Sequence, residues 1–210
     1  MAGIFKINNN EVFGSDGTFS GTIASSATFP AGHIVQVQSK AFLGGQLINN
    51  NVFTEVGTGA SGTSGDPLTI TMSVGSGNKI LFSGSIHAGG NSRYAGLIVC
   101  LDSTGTYTWA QDNTGPSDSI MRGATDGNKG RVLSTFAINE SEGHYNYILQ
   151  STSFNFLYTP SDTSSHTYTV KAGNTYNMSC SMKINSPHNT DNNSHTHKPA
   201  STFTACEVVV

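Results

Sequence analysis

Two histidines separated by one threonine stand near the end of the chain, in NNSHTHKPASTFTACEVVV, residues 192–210. In an extended segment, alternation puts His195 and His197 on the same side, about 7 Å apart. Two imidazole nitrogens are too few for a closed transition-metal site, which takes roughly four to six ligands. Around a threefold axis, three chains would bring six such nitrogens, an octahedral set for an ion such as Fe or Zn, with His188 near enough to add to it. The pair therefore makes metal sense mainly in a homotrimer. The same stretch, NSPHNTDNNSHTHKP, equally suits a polar surface loop whose histidines face water. His33, His87, His144 and His166 have no ligand spacing.

Other chemical frames are weaker. GTGASG at 57–62 has the spacing GxGxxG, but the dinucleotide fingerprint needs a strand before it and a helix after it. TSGDPLTITMSV follows, a turn and then a strand, so a loop is the better reading. Neither GxSxG nor HExxH occurs. Asp66, Asp102, Asp118, Asp126, Asp162 and Asp191 all stand beside Gly, Ser, Asn or Pro, as turn formers do. No catalytic constellation emerges, and a non-enzymatic protein is expected.

The composition narrows the partners. The chain has 210 residues, of which 11% are charged against about 25% in an average globular protein. Ser, Thr and Asn number 27, 24 and 19, so polarity comes from hydroxyls and amides. The formal charge is −3 and no Lys/Arg cluster exists to track phosphates, which argues against nucleic acid. No apolar run is long enough to insert into a membrane, and MAGIFKINNNEVFG lacks the apolar core of a secretory signal. The chain is expected to stay in the cytoplasm where it is made. Cys100, Cys180 and Cys206 are odd in number, lack CxxC spacing and lie in strand-like runs. They read as small buried hydrophobes.

The elements that must position any site are strands. In PLTITMSV, Leu68, Ile70, Met72 and Val74 alternate with hydroxyl residues, and in TYNMSCSMKI, Tyr176, Met178, Cys180, Met182 and Ile184 alternate with Asn177, Ser179, Ser181 and Lys183. SFNFLYTP and SHTYTV are rich in aromatic and β-branched residues. RYAGLIVCLD is apolar on both faces and reads as a central, covered strand. GSGN at 75–78 predicts a hairpin joining 68–74 to 79–87, DSTG at 102–105 and KAGN at 171–174 read as similar turns, and TPSDTSS at 159–165 as a longer corner. SDSIMRG suggests one helical turn. About ten strands at this spacing predict an all-β sandwich or barrel. Residues 1–28 are rich in Gly, Ser and Asn and read as a short N-terminal arm, with the globular part at 29–210.

Four segments, taken in order, carry a resemblance: FPAGHIVQVQS (29–39), SGNKILFSGSI (76–86), SSHTYTVKAG (164–173) and ASTFTACEVVV (200–210). Together they resemble a diffuse group of virion surface proteins of tailed bacteriophages, especially phages of marine bacteria. In that group a PAGH strand is followed by SKIL-like, TYxV and ASTITxMEI-like strands. The resemblance implies a trimeric, jelly-roll-like knob on a fibre or capsid, with no group-wide catalytic residues. Some trimeric phage fibre tips bind a metal through a His-x-His pair, which matches His195 and His197 in type. This chain departs from the group in its long His/Asn-rich loop at 185–199 and in having only an arm where relatives carry a shaft. Fully extended, 28 residues span at most ~95 Å, which favours capsid decoration or a short tail spike.

The expectation is therefore an all-β, antiparallel, jelly-roll-like β-sandwich with a short N-terminal arm. It would assemble in the host cytoplasm, be released by lysis, and join other virion proteins through the arm. Loops 57–66, 111–130 and 185–199 would face outward, with Asn113, Asp118, Asn189, Asn192 and Asn193 as candidates for hydrogen bonds to a host-surface glycan. Two other classes remain: a depolymerase-like carbohydrate-active enzyme, which predicts paired carboxylates about 5–9 Å apart in one cleft, and a free lectin-like protein.

Overall fold

Period-two alternation fixes which side chains of each segment can be dry, and the chain uses it to build two layers over one core. The computed structural model describes residues 5–7, 10–13, 30–49, 52–58, 67–90, 95–102, 107–108, 119–121, 132–136, 149–174, 181–187 and 198–210. The chain divides into two units, Met1–Ala31 and Gly32–Val210. In the first, β1 (Phe5–Ile7) and β2 (Asn10–Phe13) form an antiparallel pair.

In the second unit the strands are β3 (Ile34–Phe42), β4 (Gln46–Asn49), β5 (Val52–Glu55), β6 (Thr69–Met72), β7 (Lys79–Gly90), β8 (Ala95–Leu101), β9 (Tyr107–Thr108), β10 (Ser119–Met121), β11 (Ser134–Phe136), β12 (Gln150–Tyr158), β13 (His166–Asn174), β14 (Ser181–Ile184) and β15 (Ser201–Val208). One sheet runs β3-β15-β7-β14-β4, with β12 on the other edge of β7. The second runs β10-β8-β13-β5-β9, with β11 on β8 and β6 on β13. Every pair is antiparallel. The protein is an all-β antiparallel sandwich, and among the described residues no helix is long and apolar enough to cross a membrane.

The inner faces meet in one apolar cluster. From the first sheet come Phe42, Ile80, Phe82, Phe154, Phe156 and Phe203; from the second, Ile70, Leu97, Val99, Tyr168 and Val170. Phe82 sits at its centre, stacked on Phe203 with ring centroids 5.5 Å apart and tilted against Tyr168 at 4.9 Å and Phe156 at 5.3 Å. Such offset and tilted pairs each contribute about 0.5–1.5 kcal/mol beyond burial. Along the flanks, neutral polar bonds join the layers. Gln38 Nε2 donates to the Thr71 carbonyl (2.9 Å), linking β3 to β6, and Ser134 and Thr152 share a hydroxyl bond of 2.6 Å, linking β11 to β12.

The sequence pattern holds for β6, where Leu68, Ile70, Met72 and Val74 are all buried, and for β8, buried on both faces between β13 and the β10 and β11 strands. Its second face packs Ile98 and Cys100 with Phe53. On that face Lys171 is 1% exposed and stands opposite Glu55 across the β13–β5 pair. Opposite charges in register are the arrangement a buried cation needs.

Three local expectations are corrected. Residues 75–78 do form a turn, with Asn78 N–H on the Gly75 carbonyl at 3.1 Å, but β6 and β7 are not a hairpin. β6 pairs with β13 and β7 with β15, β14 and β12, so the turn carries the chain from one layer to the other. Both runs bury the same period-two set, and each does so from its own side of the core. KAGN is not a turn: it continues β13, and Gly173 is there because a Cβ would lie 2.3 Å from the Val52 carbonyl oxygen and 2.7 Å from Phe53 Cα. Ser119–Met121, within the expected helical turn, is strand β10 on the edge of β8. Of the cysteines, Cys100 is buried and Cys206 only half-buried; Cys180 lies outside the described residues.

Candidate functional site

The candidate ligand residues from the sequence, Asn113, Asp118, Asn189, Asn192, Asn193, His195 and His197, all lie outside the described residues. What the structure defines is how the bases of the loops are held. β14 and β15 follow one another along the same edge of β7, Ile184 opposite Ala88 and Thr202 opposite Ser85. The chain between them leaves and returns at nearly the same point. Asn185, 1% exposed and at φ 54°, closes that stem. Its Nδ2 donates to the carbonyls of Phe42 (2.7 Å) and Gly44 (3.0 Å), its Oδ1 accepts from Ser201 Oγ (2.6 Å), and its N–H bonds the His87 carbonyl (2.8 Å). Ser201 Oγ in turn accepts from His87 N–H at 3.1 Å. Asparagine tolerates the left-handed backbone here and satisfies three groups at once. Asn185 thus belongs to the framework and not to the outward-facing set of loop 185–199.

Because Asn185 and Ser201 close the stem, the framework of a single chain is expected to survive shortening of residues 188–197. Replacing residues 188–197 with a four-residue Gly/Ser linker is expected to leave the melting temperature within about 3 °C of wild type, since closing a shorter loop costs no more entropy. A loss of more than about 10 °C in a differential scanning experiment would show that the excursion is part of the core.

Two further buried side chains do the same work. Gln46, 3% exposed on β4, donates to the carbonyls of Glu55 (2.8 Å) and Thr58 (2.6 Å) and accepts from Gly57 N–H (2.9 Å), pinning the base of loop 57–66. Glu207 Oε1 accepts from Gly75 N–H (2.8 Å) and Asn78 Nδ2 (2.7 Å), fixing the 75–78 turn.

The densest group of titratable side chains among the described residues is at the end of β8 and the start of β13. His166 Nδ1 is 2.6 Å from Asp102 Oδ2, and Nε2 is 3.0 Å from Asp162 Oδ1. Asp102 Oδ1 also accepts from Thr167 N–H (2.8 Å), and Asp162 Oδ1 from Ser164 N–H (2.7 Å). The Asp102 bond raises the pKa of His166. The Thr167 amide first, and then His166, lower that of Asp102. The Ser164 bonds and then His166 bring Asp162 to about 2. With a carboxylate on each ring nitrogen, the protonated ring donates from both nitrogens. It cross-links the end of β8 to the 159–165 corner. The two carboxylates face each other across one imidazole.

Stability should follow these shifts. The His166 contribution is complete below its ordinary pKa of about 6.5 and is lost as pH rises through its raised value. The aspartate contributions are complete above about 3.8 and are lost as pH falls, for Asp162 through about 2. Thermal melts from about pH 3 to 9 are expected to show a plateau between those limits with a decline above it, and His166→Asn should abolish the alkaline decline. An unchanged decline in that variant would assign it elsewhere.

Beside this cluster an open cleft of about 130 Å³ lies between the 75–78 turn and residues 159–163, with Asp162 on its wall. Its lining is small and polar: Ser76, Asn78, Thr159, Ser161 and Thr163 among others. Drug-sized ligands occupy roughly 300–1,000 Å³, so the cleft has room for a fragment of a ligand, such as one face of a sugar ring. Neither the cluster nor the cleft is visible in the sequence. Asp102, Asp162 and His166 are legible singly, but only the β8–β13 pairing, with Leu101 opposite Tyr168, brings the first and last together. Among the described residues no group of three or more His, Cys, Asp or Glu side chains could hold a metal ion.

No family model matches the chain, and no curated protein matches it.

Proposed function

We propose that this chain is a non-enzymatic structural protein of a tailed-bacteriophage virion. In this reading it is a homotrimeric surface knob, serving as capsid decoration or as a short tail spike or fibre, and adhering to a host-surface glycan. The N-terminal arm joins it to other virion proteins. One observation carries the reading: the four segments that resemble phage virion proteins all coincide with strands, on β3, β7, β13 and β15, and three of these are neighbours in one sheet. The likeness therefore concerns the framework, while the loops that differ from the group are the parts free to choose a receptor. Hydroxyl and amide groups around the cleft suit a sugar, whose hydroxyls both donate and accept. His195 and His197 would meet their symmetry mates at the trimer axis, with Fe or Zn as the ion.

Mass spectrometry of purified virions tests the proposal. Peptides of this chain at hundreds of copies per particle support capsid decoration, and a few to a few tens support a tail spike; absence from particles overturns it. Elemental analysis of the purified oligomer tests the metal, expected near one atom per three chains.

A further inference from the structure

The two layers differ in how their outer faces are finished. On the β8-containing sheet the outer face buries Phe53, Ile98 and Cys100 completely. On the β7-containing sheet it is open. Every exposed large apolar side chain among the described residues lies on a strand of this sheet or in a segment that continues one, including Val37 at 59% and Leu157 at 49%. Register sets them in order. Val37, Cys206, Leu81 and Leu157 stand side by side across β3, β15, β7 and β12 and form one apolar row. The next row is Ser39, Thr204, Ser83 and Asn155, and the one after is Ala41, Thr202, Ser85 and Ser153. None of the twelve is charged. Lys79 and Lys183 fall on rows at the two ends.

From this we infer that the outer face of β3, β15, β7 and β12 is where the chain packs against a second copy of itself. Two features select that occupant. An uncharged face meets its own copy without Coulomb repulsion, although the whole chain carries −3. A hydroxyl row is also self-complementary, because each Ser or Thr both donates and accepts, so identical rows can satisfy each other. Strands about 4.8 Å apart and rows about 6.8 Å deep give four strands by three rows an area of roughly 400 Å², about half of the ~800 Å² each partner gives to a standard interface. The inference rests on the self-associating knob proposed above and assigns the face that its copies turn toward their common axis, where equivalent rows meet.

Sedimentation velocity of the full chain tests it, comparing wild type with the double variant Val37→Lys, Leu157→Lys over about 1–100 µM. Wild type should sediment as a multiple of 22.0 kDa and the variant as a single 22.0 kDa chain with an unchanged circular dichroism spectrum and melting temperature. If that variant melts early, Ser39→Lys with Asn155→Lys makes the same test from two exposed positions of the neighbouring row. A folded variant that still sediments with wild type overturns this surface and leaves the virion reading standing. A wild-type chain that is monomeric throughout the range overturns the self-associating knob and this surface with it.

Discussion

Gly84→Ala should destabilise the protein by about 3 kcal/mol, one of the largest effects of any single methyl in the chain. Gly84 is in the middle of β7, directly between Phe154 on β12 and Phe203 on β15. The missing side chain leaves room for the Phe154 ring to lean over the strand, with its centroid 6.1 Å from that of Phe203. A Cβ at Gly84 would lie 2.4 Å from Phe154 Cζ and 2.8 Å from the Thr202 carbonyl oxygen. The ring is flanked by Phe156 on β12, with centroids 6.2 Å apart. In urea the midpoint should fall with no change in slope, and the melting temperature should drop by roughly 6–12 °C. Adding Phe154→Leu to Gly84→Ala should recover part of the loss, a favourable coupling in the double-mutant cycle. If the two changes simply add, the ring is not what excludes the methyl.

Asn185→Asp should cost about 4 kcal/mol even though it keeps the size of the side chain. It replaces a donor that bonds two carbonyls, Phe42 and Gly44, with an oxygen that repels both. Each buried group left unpaired costs about 1–3 kcal/mol, and more where a charge is involved. Asn185→Leu should come close to the same loss by another route, with two carbonyls and the donor of the Ser201 hydroxyl losing their partner and about 1 kcal/mol of strain at a positive φ. Ser201→Ala, which removes one arm of the cluster, should cost less than half as much. Equal effects for Asn185→Asp and Ser201→Ala in chemical denaturation would mean that the amide is not the hub of the stem.

These two sites show what can and cannot be read from the chain alone. The alternation in SFNFLYTP and in STFTACEV identifies Phe154, Phe156 and Phe203 as inward-facing, and all three are buried. Nothing in the sequence says that the glycine between two serines in FSGSI must be the one they flank, because that depends on register with Phe154 and Phe203, both far along the chain. Asn185 reads as the start of a polar loop. Its burial follows from β3–β4 and β14–β15 breaking at the same level, which is a property of the pairing. The GSGN turn fails as a hairpin signal for the same reason. Local chemistry specifies that the chain reverses, whereas the layer each arm joins is set by non-local partners, β13 for one and β15 for the other. His166 shows no ligand spacing in the sequence, because its carboxylates come from 64 residues upstream and from the adjoining corner. Composition is the better guide to the surface. A chain in which 11% of residues are charged stitches its strands with hydroxyl pairs such as Ser39–Thr204 at 2.9 Å and Thr71–Thr167 at 3.0 Å.

The virion reading needs a framework whose loop bases do not move, and that framework is held by Gln46, Asn185, Glu207 and Ser201 acting on backbone groups. Native-state amide hydrogen exchange reads it directly. The N–H groups of Gly57, Gly75 and His87 bond the side chains of Gln46, Glu207 and Ser201, that of Asn185 bonds the His87 carbonyl, and all four are expected to exchange as slowly as amides inside β7 and β13. Protection confined to the strands, with these four amides exchanging at the rate of an open chain, would contradict the account.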